Sequence, residues 1–318
     1  METSQIGGLV TILSAGHSGS TLLDLCLGEL PGVFSTGELK QLTWQLFREG
    51  QRAETDIRDR CTCGARFRDC SVWKYVLSGT ANEFGTTMEK LPLERPIKHI
   101  QPIDYFSASL SFRLARRLYL LGLSRRLVPN SLTAKYFRRV NQINEVIVNR
   151  VLTTTGSKWV VDSSKDSVRY AELFRNSHLR VFPVVLIRDI HAVLQSKHLQ
   201  KRNISVFRRA WLRYYNHELL PIVQKLAPID YVIISYERFI DAPRRELARL
   251  AKPLGLNSSF FNGVCHPRTR HLVAGNPIRY EDPLPVRVKP LDRVAYRKSM
   301  EKSGLDPFFL NALFKVES

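Results

Sequence analysis

LVTILSAGHSGSTLLDLCLGEL, residues 9–30, decides the fold. The apolar run LVTIL is short enough for one buried strand. SAGHSG is a glycine-serine turn, and TLLDLCLGEL has helical spacing, so residues 9–28 read as strand, loop and helix. Free backbone N–H groups converge at the helix start, where the dipole adds about half a positive charge, so the turn is suited to an anion. The expected contacts are the backbone amides of Gly16, His17, Ser18, Gly19, Ser20 and Thr21. A nucleoside-triphosphate loop has the pattern G-x-x-x-x-G-K-[ST]. Here Ser14 stands at the first glycine and Ser20, not lysine, precedes Thr21, which argues against an ATP or GTP hydrolase. A serine-capped helix without a ligand would read the same way, so other segments have to decide.

Working outward, GVFSTG (32–37) reads as a second strand and turn, and KWVVD (158–162), VFPVVLIRD (181–189) and YVIIS (231–235) as buried strands, each followed by a helical pattern. Valine- and isoleucine-rich strands alternating with helices imply a parallel sheet covered on both faces, an α/β class. Roughly residues 50–155 read as a helical insertion without strands, inside one domain spanning 1–318. It ends in an amphipathic helix with Phe137, Val140, Ile143, Ile147 and Val151 on one face. A helix is expected from Asp241 through Leu254, then a loop rich in proline, glycine and arginine, then short helices.

With 318 residues, a net charge of +19 and five cysteines, the chain can bury a core unaided and will attract anions. The cysteines are too few for a disulfide scaffold, and METSQIGG has no basic region ahead of its apolar run. A soluble cytoplasmic protein without signal or anchor is expected. Between Asp104 and Glu145 there is no acid, while Arg113, Arg116, Arg117, Arg125, Arg126, Lys135, Arg138 and Arg139 accumulate. This stretch reads either as a solvated face or as a surface for an anionic acceptor or membrane headgroups.

In 188-RDIHAVLQS-196 a strand ends at an arginine, and Ser196 follows eight residues later. A guanidinium is a planar fork for phosphate oxygens, and a serine adds a donor. Together, 14-SAGHSGSTLL-23 and 188-RDIHAVLQS-196 resemble the two nucleotide-binding motifs of sulfotransferases that use 3′-phosphoadenosine 5′-phosphosulfate. STGEL (35–39), WVVDSSKDSVRY (159–170) and HLVAGNPIRY (271–280) resemble segments of the bacterial branch and of its relatives that sulfate protein tyrosines.

The resemblance implies that Gly16 to Thr21 hold the 5′-phosphosulfate and that Arg188 and Ser196 hold the 3′-phosphate, with Arg279 near a phosphate. It makes Glu38 the base and Lys165 the charge that stabilises the transferring group. Glu38 could instead stabilise the start of the QLTWQLF helix, and Lys165 could be a surface lysine. His17 stands where the family usually keeps an arginine or lysine. It can act as a neutral donor, as a cation, or as an alternative base oriented by Glu38. No metal is expected in catalysis and no nucleic acid as partner. The acceptor is expected to be a hydroxyl or amine, on a small molecule, carbohydrate or glycolipid. A nucleotide kinase and a basic protein binding an anionic polymer are the alternatives. Finally, 61-CTCGARFRDC-70 places three thiols together, whereas a structural zinc site needs four ligands. His99 is a conceivable fourth, but the segment resembles a C-x-C-G…C-x-x-W pattern of bacterial sulfotransferase-like chains, and that resemblance makes it, with Trp73, a small structural knuckle or redox pair.

Overall fold

The computed structural model describes residues 8–42, 45–46, 60–88, 132–195 and 204–315, the side chains at 132–141, 172 and 176 excepted. Ser196, His99 and most of the acid-free basic stretch lie outside the described residues.

Five parallel strands form the central sheet: β1 (Gly8–Leu13), β2 (Val33–Ser35), β3 (Trp159–Asp162), β4 (Arg180–Ile187) and β5 (Val232–Ser235), in the order β2-β3-β1-β4-β5. Apart from Arg180 and Val232 at their starts, every strand residue is buried, as expected of a parallel sheet covered on both sides. The period-2 alternation sorts side chains between two cores. Leu9, Leu13, Val185 and Ile187 pack with Trp73 and Val76 of α2 (Trp73–Glu83) and Ile147 and Val151 of α3 (Leu132–Thr155). Val10, Ile12, Val184 and Leu186 pack with Leu23 and Leu27 of α1 (Ser20–Gly28) and, from the C-terminal half, Phe239, Leu247 and Leu250. Each such fully buried side chain contributes about 1.5–3 kcal/mol.

The strand assignments and the α/β class agree with the sequence reading. The described parts of the insertion, 60–88 and 132–155, contain helix and turn but no strand. On α3, Ile143, Ile147 and Val151 are buried as the period requires; the side chains of Phe137 and Val140 lie outside the described residues. Among the described residues, the other α-helices longer than one turn are α4 (Ser167–Asn176), α5 (Ile190–Leu194), α6 (Ile204–Leu212), α7 (Tyr236–Asp241), α8 (Pro243–Ala251), α9 (Arg293–Glu301) and α10 (Pro307–Phe314). Among the described residues no helix is long and apolar enough to cross a membrane.

One acid sits inside the apolar face of α1. Asp24 is fully buried and accepts hydrogen bonds from Ser35 Oγ at the end of β2 and from Ser163 Oγ, just past β3, at 2.6 Å. It thereby ties the anion-loop helix to two strand ends. Burial pushes its carboxyl up to about 7, against the two serine hydrogen bonds. A folded-state value raised above the unfolded 3.8 means stability that is full below that pH and is lost as pH rises toward 7. Asp24→Asn removes this loss, so its stability relative to the parent should improve by up to about 4 kcal/mol between pH 4 and pH 8. Urea denaturation across that range measures it; parallel profiles for the two proteins would show that Asp24 stays ionised.

Candidate active site

The carboxyl ends of β1 to β5 point to one edge of the sheet, where ligands of open α/β folds bind. Each contributes a residue. The loop 14–19 leaves β1 and enters α1 through Gly19, whose φ of 86° lies in the left-handed region. A Cβ there would come within 2.1 Å of the Tyr236 ring, so only glycine fits. His17 is also left-handed, at φ 63°, and its carbonyl accepts from Arg188 Nη1 at 3.0 Å.

Arg188 follows directly on β4, and its guanidinium lies over the Tyr236 ring, 4.5 Å from the centroid. Its Nε is buried without a hydrogen-bond partner among the described residues. A buried donor with an unmade bond is costly unless an acceptor completes it, so the half-buried Arg188 suits a phosphate at this edge. The first turn of α5 is capped by Asp189, and Glu237 accepts the Asp189 N–H at 3.0 Å, which fixes the direction in which the chain leaves β4.

Glu38 follows β2 and is held from three sides. Its N–H donates to the Ala274 carbonyl at 3.0 Å, the next N–H, of Leu39, donates to Asp162 Oδ1 at 3.2 Å, and Lys40 N–H donates to Ser164 Oγ at 3.0 Å. Gly37, at φ 68°, lets the chain run against residue 274; a Cβ would lie 2.2 Å from the Ala274 carbonyl oxygen. The Glu38 carboxylate meets Lys165 Nζ at 2.6 Å, with both side chains largely buried. Burial opposes the charge on Glu38, but Lys165, through charge and hydrogen bond, and Lys40 outweigh it and hold the carboxyl below its usual range.

Lys165 comes from the loop after β3, at φ 60°. Its ammonium also reaches Ser20 Oγ at 3.2 Å and the Ser163 carbonyl at 3.1 Å. The lysine missing from the 14–21 loop is thus supplied at the first turn of α1 from another strand. Asp162, the last residue of β3, organises this loop: it accepts from Ser164 N–H at 2.9 Å and Ser164 Oγ, and pairs with Arg169 Nε at 2.9 Å.

Two adjacent tyrosines support both loops. Tyr215 Oη accepts the Ala15 N–H at 3.1 Å and donates to the Leu186 carbonyl at 2.7 Å, while Tyr214 Oη donates to the Lys165 carbonyl at 3.1 Å. In a regular α-helix neighbours diverge by about 100°. Here Arg213–Leu219 is π-helical and runs up to Pro221, which has no N–H to continue the ladder. From this stretch both tyrosines serve the same edge.

The C-terminal segment closes over α1. Asn276 N–H donates to Thr21 Oγ1 at 3.0 Å, and Val273 N–H to the Thr36 carbonyl at 2.8 Å. Arg279 is buried in the turn Pro277–Tyr280, its guanidinium 4.7 Å from the Tyr280 ring centroid and bonded to that residue's hydroxyl at 2.5 Å.

The structure therefore brings together residues 16–21, Glu38, Lys165 and Arg188, with Arg279 packed on the neighbouring strap. Ser196 lies outside the described residues. Sequence reasoning missed Tyr214, Tyr215, Tyr236, Asp162 and Asp24. Tyr236 carried a signal, since it directly follows a strand whose carboxyl end faces the site.

No family model and no curated protein matches the chain. Among solved structures it is similar to a sulfotransferase domain from the curacin biosynthetic pathway, at 15% identity and TM-score 0.43, covering 95% of this chain and 99% of that one. It is also similar to a sulfotransferase domain from the Synechococcus PCC 7002 olefin synthase, at 17% identity and TM-score 0.44, covering 96% and 98%. A third is sulfotransferase STF9 from Mycobacterium avium, at 13% identity and TM-score 0.42, covering 98% of this chain and 76% of that one.

Proposed function

We propose that the protein is a sulfotransferase that moves a sulfuryl group from 3′-phosphoadenosine 5′-phosphosulfate to an acceptor hydroxyl or amine. The observation that carries this reading is the Lys165 ammonium, 2.6 Å from Glu38 Oε1 and 3.2 Å from Ser20 Oγ. It puts a cation and an ionised carboxylate beside an anion loop that lacks its own lysine. The motif resemblance supplies the identity of the donor, and the unmade bond of the buried Arg188 Nε suits its 3′-phosphate.

Sulfuryl transfer resembles phosphoryl transfer in being an in-line displacement with a loose transition state, so positioning and electrostatics do most of the catalysis. The acceptor oxygen or nitrogen forms the new bond to sulfur as the sulfur–oxygen bond to the 5′-phosphate breaks. The electron pair of that bond leaves with adenosine 3′,5′-bisphosphate. Glu38 takes the acceptor proton, Lys165 stabilises charge gathering on the sulfuryl and bridging oxygens, and the amides of 16–21 hold the 5′ end. The basic stretch of the insertion and the net charge of +19 favour an anionic acceptor, such as an acidic carbohydrate or glycolipid, over a neutral phenol.

Calorimetry with adenosine 3′,5′-bisphosphate tests the donor site. Tight binding without magnesium is expected; tight binding of magnesium-ATP with none of the bisphosphate would favour the kinase alternative and overturn this one. Arg188→Ala should lower the preference for the bisphosphate over adenosine 5′-phosphate by about ten- to a hundredfold, the worth of a charge-assisted hydrogen bond. An unchanged ratio would remove Arg188 from the 3′-phosphate site. Labelled donor offered to carbohydrates, lipids, phenols and peptides then identifies the acceptor.

A further inference from the structure

A second cluster lies beside the end of β2, where the His271 ring stacks on Phe34. Cys61, Cys63 and Cys70 come from the described start of the insertion, and the fourth group is not His99 but His271, more than two hundred residues from the thiols along the chain. Each offers one ligand atom, and the four atoms lie within 4.8 Å of one another. Cys61 Sγ and Cys70 Sγ are 3.7 Å apart, Cys63 Sγ and Cys70 Sγ 3.8 Å, and His271 Nδ1 is 3.2 Å from Cys70 Sγ and 3.6 Å from Cys61 Sγ.

We propose that Cys61, Cys63, Cys70 and His271 form a structural zinc site. A tetrahedron with zinc–sulfur bonds of about 2.3 Å and a zinc–nitrogen bond of about 2.0–2.1 Å has sulfur–sulfur edges of about 3.8 Å and sulfur–nitrogen edges of about 3.5 Å. Three of the four distances fall on or near these values, and the fourth, Nδ1 to Cys70 Sγ, is shorter. They are far from the roughly 2.05 Å of a disulfide, and all five cysteines are free thiols. One imidazole and three thiolates make a closed four-ligand set of the structural kind, whereas iron–sulfur clusters take four cysteines in most folds.

The surroundings are built around these four groups. Cys61 N–H bonds the Ala65 carbonyl at 3.1 Å and Gly64 N–H the Cys61 carbonyl at 2.9 Å, closing a tight knuckle around Cys63. His271 stands at φ 56°, uncommon for a non-glycine residue, and is gripped on both sides. Its carbonyl accepts Trp73 Nε1–H at 2.6 Å, the next N–H, of Leu272, donates to Thr62 Oγ1 at 3.0 Å, and its ring stacks on Phe34. Cys61 and Cys70 are fully buried, and Cys63 is partly exposed.

The site joins the insertion to the strap that sets the active-site edge. Three residues past His271, Ala274 accepts the Glu38 N–H, and two further on Asn276 bonds Thr21. The zinc is therefore a clamp whose loss loosens Glu38 and the cover of α1, not a participant in transfer. Such a clamp would hold these segments whatever reaction the edge carries out.

Full-length protein, expressed with zinc in the medium and purified reduced without chelator, is expected to carry about one zinc per chain by mass spectrometry of metals. Cobalt exchange should give the visible absorption of a tetrahedral site with sulfur-to-cobalt charge transfer. Cys63→Ser, at the least buried ligand, should stay folded yet weaken zinc affinity by at least a hundredfold in chelator competition, more than the ten- to hundredfold of an outer-shell change. Removing zinc from the parent should speed hydrogen exchange at Glu38, Val273 and Asn276. Folded, reduced parent that takes up no metal from excess zinc overturns the proposal. So does a Cys63→Ser variant that binds zinc as tightly as the parent, or a disulfide among the three thiols in freshly isolated protein.

Discussion

Glu38→Gln is expected to lower turnover by about a hundredfold to ten-thousandfold, the range for losing a general base, while leaving the affinity for adenosine 3′,5′-bisphosphate within about threefold of the parent. Glutamine keeps the shape and an oxygen that can still accept from Lys165, so the buried ammonium is not stranded. The backbone of residue 38 is fixed independently, through Ala274, Asp162 and Ser164. What the substitution removes is the proton acceptor. Parental turnover by Glu38→Gln would move the base elsewhere, with His17 the next candidate. His17 as a base oriented by Glu38 would need that carboxylate, which Lys165 engages at 2.6 Å. His17→Gln should therefore cost less than Glu38→Gln.

These two residues also mark what a sequence can reveal of such a site. The strands are short runs of β-branched and aliphatic residues whose burial on both faces leaves no ambiguity of class, and a residue directly after such a strand sits at the ligand edge by topology alone. Arg188 has that address, and Glu38 and Lys165 lie in the short loops that leave the ends of β2 and β3. The supporting residues do not. Tyr214 and Tyr215 reach the site from a π-helical stretch before Pro221, which propensity does not foretell. Asp24 carried a partial signal, as a lone acid in the apolar run TLLDLCL, but its serine partners come from two other strand ends. His271 could not be paired with CTCGARFRDC by spacing, since no local period spans two hundred residues; only the folded chain supplies the fourth ligand.

Lys165 gives a second large effect, and one with a distinct pH signature. Its left-handed φ makes Lys165→Ala a mixed test, because alanine would add backbone strain to the loss of charge. Lys165→Asn is cleaner, since asparagine tolerates that region. Turnover should fall by about a hundred- to a thousandfold, as when one preorganised donor to transition-state charge is removed. The acidic limb of the pH–rate profile should also move. In the parent, burial favours the neutral acid, but Lys165 and Lys40 overcome it, so Glu38 is ionised through the neutral range and activity falls only below the usual carboxylate region. Without Lys165, burial, the largest single influence on Glu38, loses its main opponent. The carboxyl then protonates at higher pH, and the acidic limb shifts upward. A variant that loses rate with its acidic limb unmoved would mean that Lys165 acts on the transferring group without setting the ionisation of Glu38. A limb that moves upward without loss of rate at high pH would mean the reverse, and would take from Lys165 its role in the transfer step.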